Sequence, residues 1–381
     1  MVNTLHLKGT NYEIGYKHGV LAKSQIQNCL EHYAVYFLNA GMSPGDVKTM
    51  AEEFSKSIQK LVPHLHDELR GIAEGAGVHL LDIIALNARS EIALAAKPSS
   101  SNSTSDEDHL AIPVDGCTTF AETLENGKQW LAQNWDWQTY QLSNLVLLEI
   151  DLPDSDWTRT KSLKTMTEAG LLGKIGINSS KVGVCLNALR ATDLDTSKLP
   201  LHVLLRLVLE CESVEHAQEV FKTKFGDGAA CFGHFGLADG SGVARSWEIG
   251  PFGTDIIKPD TKGRLFHTNH ALIQDSKIHE VVWLEDTRER ITRLKELAAE
   301  SDEKIVASSL STEEQKNRIF SFLRDEDNYP NSICRANDHA QMGLLGELQT
   351  VFSIVMNLTD GLVWITVGRP KQVLEEFQVS A

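Results

Sequence analysis

Apolar residues recur at helical spacing over most of the first hundred positions of the chain. After one short strand, this spacing predicts helices over 12–40, 43–62, 64–78 and 80–96. Gly75 and Gly77 suit the end of the third helix, because glycine readily adopts the left-handed conformation that follows many helices. In the fourth helix we expect four side chains to face a core, namely Leu81, Ile84, Leu86 and Ile92.

Strand patterns replace the helical spacing after residue 116. The segment 117–137 predicts a hairpin with Asn126-Gly127 at its turn, and strand patterns continue through 144–259. Helical segments interrupt them at a stripe formed by Leu201, Leu204, Leu205, Val208 and Leu209, then at 213–225, 281–300 and 311–326. The chain closes with a hairpin over 348–370 that turns at 359–361. Grouped helices and long antiparallel sheets predict an α+β layered architecture.

A polar tract separates these two halves. Residues 97–108 are rich in Ser, Asn and acidic groups and contain almost no large apolar side chain. Such a segment cannot bury enough surface to offset the entropy lost on ordering. We therefore expect a mobile loop here, and it is the best internal boundary in the chain.

The overall charge narrows the choice of partners. The 381 residues include 52 acidic and 36 basic ones, a formal net charge of −16. Nucleic acids and anionic membranes require clustered Lys and Arg, so we expect neither as a partner. There is no long apolar run or signal-peptide pattern, and the six cysteines form no Cys-x-x-Cys pair. These features predict a cytoplasmic protein with reduced thiols.

One cysteine stands out by its position. Cys117 lies in "VDGCTTF", directly after Gly116 and shortly after the polar tract. Its ordinary interpretation is a small buried residue. The alternative is self-cleavage, in which the thiol attacks the preceding carbonyl and water then releases a new N-terminus. The freed α-amino group, with a reference pKa of about 7.7–8.0, can act as the base for its own thiol.

Several motifs in order resemble one enzyme family. "GTNYEIGYKHG", "ELRGIAEGA", "LNARSEIA", "DGCTTF", "QNWDW", "HTNHALI", "DEDNYPNSICRA" and "VGRP" together resemble the isopenicillin-N acyltransferase family of self-processing cysteine N-terminal-nucleophile hydrolases. The resemblance implies a four-layer αββα fold and a precursor cleaved between Gly116 and Cys117. It also implies a mostly helical fragment, 1–116, and a catalytic fragment, 117–381. These would remain together as a heterodimer in one compact unit.

The resemblance also implies roles for individual residues. Cys117 is the nucleophile, Asn269 stabilises the oxyanion, and Asp136 with Trp135 shapes a pocket near the acceptor amine. Without the resemblance, Asp136 is a polar residue at a strand end and Asn269 a turn residue. His267 and His270 have the spacing of metal ligands, but a third ligand is missing, so we expect no metal. We expect no cofactor, while acyl-CoA is a candidate co-substrate.

Two sites in the sequence depart from the family pattern. Gly250 replaces a serine of the penicillin enzyme, and Gly346 with Glu347 replaces a Ser-Arg pair that anchors the penam carboxylate. Because Glu347 would repel a carboxylate, these changes favour a related enzyme with another acceptor. We therefore predict a self-processing acyltransferase or amidohydrolase acting on small-molecule amides. The alternative is an unprocessed, inactive homologue with a binding or structural role.

Overall fold

The computed structural model describes residues 1–95, 116–156, 158–273, 280, 286–336 and 347–381. The helices are α1 (Asn11–Leu21), α2 (Lys23–Asn39), α3 (Pro44–Leu61), α4 (Pro63–Ala76), α5 (Leu80–Asn87), α6 (Arg89–Leu94), α7 (Leu201–Val208), α8 (Val214–Lys224), α9 (Thr287–Lys304) and α10 (Thr312–Leu323). The strands are β1 (Asn3–Lys8), β2 (Gly116–Thr123), β3 (Gln129–Gln138), β4 (Leu145–Asp151), β5 (Ser162–Glu168), β6 (Ile175–Asn178), β7 (Val182–Ala188), β8 (Gly233–Asp239), β9 (Ala244–Gly250), β10 (Gly253–Ile257), β11 (Arg264–His267), β12 (Leu348–Asn357), β13 (Leu362–Val367) and β14 (Glu375–Ser380).

The described strands form two sheets that face each other. The larger has the order β1-β4-β5-β6-β7-β8-β9-β10, and the smaller has the order β11-β2-β3-β12-β13-β14. All pairs are antiparallel except β1 with β4. The strands β2 and β3 contact β7 and β8 across the layer, while α7 and α8 pack on the larger sheet and α9 and α10 on the smaller. The predicted α+β, four-layer αββα fold is confirmed.

The first helices pack unusually closely because of four glycines. Gly15 and Gly19 of α1 face Gly71 and Gly75 of α4, each pair four residues apart. A Cβ atom on Gly15 would lie 1.9 Å from the Glu68 carbonyl oxygen. Only glycine allows the two backbones to meet in this way. The motifs that carried the family resemblance here are therefore packing motifs.

The helix boundaries partly differ from the sequence expectation. The segment 12–40 forms α1 and α2 with a break at Ala22, and the segment 80–96 breaks at Ala88 into α5 and α6. Apolar spacing continues through both breaks, so it could not reveal them. Gly77 does end α4 in the left-handed conformation, whereas Gly75 lies inside the helix. Of the side chains expected to face the core, Ile84, Leu86 and Ile92 are buried and Leu81 is half-buried.

Both predicted hairpins are confirmed. β2 pairs with β3 around a turn at Gly127, and β12 pairs with β13 around a turn at Gly361. The stripe from Leu201 to Leu209 is buried in and just after α7. The expected mobile loop at 97–108 and the first residues of the predicted helix at 281–300 lie outside the described residues.

Candidate active site

Cys117 is the second residue of β2, and its side chain belongs to the layer between the two sheets. It is 1% exposed and shares the inner core with Ala121, four residues along the strand. Phe120 belongs instead to the outer cluster under α9 and α10, as the alternation of a strand requires. In the register of β2 with β3, Cys117 lies opposite Trp135 and Gly116 lies opposite Asp136. Cys117 and the predicted pocket residues Trp135 and Asp136 are therefore neighbours across the β2–β3 pair.

Asn269 reaches Cys117 through sheet pairing. The strand β11 pairs with β2, with His267 opposite Thr119, so the chain just after β11 runs beside Cys117. The Cys117 backbone N–H donates to Asn269 Oδ1 at 2.8 Å. The Asn269 side-chain nitrogen donates to the Ala188 carbonyl at 3.1 Å. The amide oxygen thus faces the residue that would become the new N-terminus.

Arg290 of α9 binds the same two residues from the outer layer. Its Nη1 donates to the Cys117 carbonyl at 2.6 Å and to Thr118 Oγ1 at 3.1 Å, and its Nη2 donates to Asn269 Oδ1 at 2.9 Å. Its Nε donates to Asp286 Oδ2 at 2.7 Å. The guanidinium is 2% exposed, so these bonds form in a medium that strengthens them.

Asp136 lies next to the bond that the sequence marks for cleavage. Its Oδ1 accepts a hydrogen bond from Thr350 at 2.7 Å, and its Oδ2 lies 3.5 Å from Arg335 Nε. Burial raises the pKa of this carboxyl to about 6, although Arg335 and Arg290 act to lower it. A Cβ atom on Gly116 would lie 2.9 Å from Asp136 Oδ2. A carboxyl that can exchange a proton near neutral pH therefore borders Gly116.

Asp286 joins the two arginines of the site. Its Oδ2 accepts from Arg290 and also pairs with Arg335 Nη2. Asp136, Arg335, Asp286 and Arg290 thus form a buried row of alternating charges that ends at Cys117. The sequence interpretation missed Asp286, Arg290 and Arg335 as functional residues. The i,i+4 spacing of Asp286 and Arg290 and the position of Arg335 within a family motif were the available signals.

Trp135 and Trp137 share one face of β3, as residues two apart on a strand do. Their rings stack with centroids 6.3 Å apart, and both are buried. Lys174 lies over Trp135 with its Nζ 3.1 Å from the ring centroid, and Lys174 also pairs with Glu168 at 3.3 Å. The aromatic surface beside Cys117 is therefore in contact with a buried, paired cation.

The residues that depart from the family pattern, Gly250 and Glu347, are not among the residues that contact Cys117 in the bonds described above. Gly250 ends β9 in the larger sheet, where an added Cβ atom would lie 2.4 Å from the Phe232 ring. Glu347 precedes β12, and its carbonyl accepts from the Thr139 N–H at 2.9 Å. This places Glu347 about 10 Å along β3 from Asp136, at roughly 3.4 Å per residue. Gly346 lies outside the described residues.

The two histidines that have the spacing of metal ligands are bound to other partners. Both ring nitrogens of His267 are used, by Glu248 and by the Thr268 carbonyl, each at 2.8 Å. His270 Nδ1 lies 2.9 Å from Thr287 Oγ1, and burial lowers the pKa of its ring to about 4. In the part of the chain that the structure describes, no group of three metal-ligating side chains occurs.

An αββα fold that holds a buried cysteine between an amide, a guanidinium and a carboxyl defines the class as an acyl-transferring enzyme, either an acyltransferase or an amide hydrolase. Residues 123–372 match the family model "Acyl-coenzyme A:6-aminopenicillanic acid acyl-transferase". The 40 kDa form of acyl-coenzyme A:6-aminopenicillanic-acid-acyltransferase from Emericella nidulans is 31% identical over 373 residues, which span 97% of this chain and 94% of that protein. The chain belongs to the acyl-coenzyme A:6-aminopenicillanic acid acyl-transferase family.

Two solved structures of low sequence identity resemble part of this chain. Penicillin V acylase from Agrobacterium tumefaciens is 16% identical with a TM-score of 0.47, covering 69% of this chain and 86% of its own. A mutant of conjugated bile acid hydrolase from Clostridium perfringens is 13% identical with a TM-score of 0.48, covering 69% of this chain and 92% of its own. Among the helices that the structure describes, none has the length and apolar character that a membrane crossing requires.

Proposed function

We propose that this protein is a self-processing enzyme that cleaves or transfers acyl groups on amides through Cys117 as an N-terminal nucleophile. The observation that carries the proposal is the pair of side-chain hydrogen bonds to the Cys117 backbone. Its N–H is held by Asn269 Oδ1 at 2.8 Å and its carbonyl by Arg290 Nη1 at 2.6 Å. Both partners are buried side chains rather than main-chain groups of a neighbouring strand, so an amide and a guanidinium lie directly beside the proposed nucleophile.

Self-cleavage begins when the Cys117 sulfur attacks the carbonyl carbon of Gly116. The peptide C–N bond breaks, the nitrogen takes up a proton, and Gly116 becomes a thioester on the sulfur. Water then attacks the thioester, which releases the Gly116 carboxylate and the free thiol. Asp136 supports the first step, because its carboxyl has a pKa of about 6 and borders Gly116.

Turnover uses the same groups. The thiol attacks the acyl carbonyl of the substrate, and the α-amine of Cys117 takes the thiol proton and passes it to the leaving group. Asn269 orients the α-amine through Oδ1. Within the described residues one of its two side-chain N–H donors is used by Ala188, so the second is available to the oxyanion. The acyl-enzyme then passes its acyl group to water or to an amine, and acyl-CoA is the proposed alternative donor.

The two fragments of 1–116 and 117–381 remain associated as a heterodimer in this proposal. The main support is a buried contact between them, in which Glu68 accepts two hydrogen bonds from Arg206 at 2.7 and 2.9 Å. Arg89 pairs with Glu168 in the same interior. The strand β1 also pairs with β4 along six residues. Cleavage of one bond would leave all these contacts intact.

In this proposal the acyl acceptor is a small amine that does not carry the carboxylate of a penam. Glu347 places a negative charge where the penicillin enzyme anchors a carboxylate, and repulsion would weaken such an acceptor. Trp135 would form part of the pocket for the acceptor amine. Gly250 is the second site at which the chain departs from the family pattern. The enzyme acts in the cytoplasm, without a cofactor, on small molecules rather than on nucleic acids or membranes.

Intact-mass measurement tests the proposal directly. The purified wild type should consist of two fragments that separate before Cys117, while Cys117→Ala should remain one chain. An intact wild type would refute the mechanism and favour an inactive homologue. Turnover is then measured with isopenicillin N, with 6-aminopenicillanate plus phenylacetyl-CoA, and with simple N-acyl amines. Strong penicillin formation would contradict the role given to Glu347.

A further inference from the structure

We infer that Arg290 is a positioning residue that keeps the α-amine of mature Cys117 in its neutral, proton-accepting form. This inference rests on the proposed function, because the α-amine exists only after cleavage. The reaction needs a neutral amine, since a protonated one cannot take the proton of the thiol. A free α-amine is about half protonated near pH 7.7–8.0. Some feature of the site must therefore favour the neutral form at physiological pH.

The geometry aims the positive charge of Arg290 at the amine. Cys117 N and Arg290 Nη2 donate to the same atom, Asn269 Oδ1, at 2.8 and 2.9 Å. Only one oxygen therefore separates the guanidinium from the nitrogen that becomes the amine. Arginine stays charged at every physiological pH. A neutral amine can donate one hydrogen to this oxygen and keep its lone pair, whereas an ammonium would place a second positive charge beside the first.

The hydrogen bonds of Arg290 keep this charge in place. Nε binds Asp286, Nη1 binds the Cys117 carbonyl and Thr118, and Nη2 binds Asn269. The side chain is 2% exposed, so water screens it little. The guanidinium also fixes which way the Asn269 amide points, because only an oxygen can accept from it.

The other described charges around Cys117 are paired with each other. Asp286 is shared between Arg290 and Arg335, and Asp136 faces Arg335 at 3.5 Å from the far side of Gly116. On the inner face, Lys174 pairs with Glu168 across the Trp135 ring. Burial keeps the pKa of His270 at about 4, and the charge of Arg288 also lowers it. Among these described groups, Arg290 donates a hydrogen bond directly to the Cys117 main chain.

Alkylation kinetics test the inference without knowledge of the substrate. The processed enzyme is treated with iodoacetamide from pH 5 to 9, and Cys117 modification is followed by peptide mass. The thiol and the α-amine titrate as one coupled pair, and no thiolate exists while both are protonated, so the acid limb of the rate profile reports the first proton that the pair loses. Arg290→Gln should shift the acid limb upward by about one pH unit, a tenfold lower rate at the acid end. Arg290→Lys keeps the charge and should leave the limb near its wild-type position.

Arg288→Gln is the matched control, since it removes the same charge from the exposed side of α9 and should leave the profile unchanged. A processed Arg290→Gln variant whose limb does not move would overturn the inference and leave the proposed function standing. If Arg290→Gln is not processed, Arg290→Lys decides: an unmoved limb supports the inference, and a shift of about one unit refutes it. An unprocessed wild type would instead refute the proposed function itself.

Discussion

Substituting Gly116 by alanine should slow self-cleavage sharply. An added Cβ atom would lie 2.9 Å from Asp136 Oδ2, 3.1 Å from Asp136 Cβ and 3.3 Å from Arg335 Nε. Neither neighbour can yield easily, because Thr350 holds Asp136 at 2.7 Å and Asp286 holds Arg335. The added methyl group must therefore displace Asp136 or Arg335, or else shift the Gly116 carbonyl that the thiol attacks.

The size of the effect follows from the cost of this crowding. Adding one methyl group to a filled site typically costs about 1–3 kcal/mol. Because relief of the crowding moves either the carbonyl under attack or the Asp136 carboxyl beside it, we expect most of this cost in the transition state. About 1–3 kcal/mol corresponds to processing that is roughly 5- to 150-fold slower.

Timed cell-free synthesis measures the rate, with samples denatured at intervals and the full-length chain compared with the 117–381 fragment. Gly45→Ala is the control, since an added Cβ atom there would have only Ser43 Oγ within 4 Å, at 3.7 Å. Processing of Gly116→Ala at the wild-type rate would refute the reasoning, because it would show that the contact with Asp136 does not constrain the scissile bond.

Three further predictions follow from the buried charges. In a Cys117→Ala background, which stays one chain, ionising Asp136 should destabilise the fold as the pH rises from about 4 to 6, since its pKa is raised from 3.8 to about 6 by burial. The free energy of unfolding in urea should therefore fall by up to about 3 kcal/mol over this pH range, and the Asp136→Asn variant should not show this fall. Parallel curves of unfolding free energy against pH for the two proteins would contradict the prediction. Arg206→Met removes the buried cation that pairs with Glu68 and Glu210 and should cost about 3–5 kcal/mol of unfolding free energy. Arg70→Met at an exposed pair should cost about 0–1 kcal/mol, and equal losses of the two variants in urea unfolding would contradict the role given to Arg206. Glu347→Gln should raise the rate with a carboxylate-bearing acceptor about 3- to 10-fold relative to a neutral amine in competition assays, and an unchanged ratio would place the acceptor elsewhere.

Local patterns were enough to predict much of the fold. Alternation and turn residues correctly predicted both hairpins, and helical spacing correctly predicted helical segments, because these signals act between neighbours in the chain. The breaks at Ala22 and Ala88 escaped prediction. Each depends on how a helix must turn to follow its neighbours rather than on its own apolar spacing.

The sequence by itself determined the family and pointed to the proposed chemical centre: a cysteine after a glycine, at the start of a strand, within a set of family motifs. The tertiary structure decided what surrounds it. Arg290 and Asp286 belong to a charged helix that looks like a solvated surface helix in sequence, yet they are buried beside Cys117, and Arg290 reaches it across 173 positions of the chain. Only the pairing of β11 with β2 and the packing of α9 on the smaller sheet bring them there, and contacts of such long range leave no local pattern in the chain.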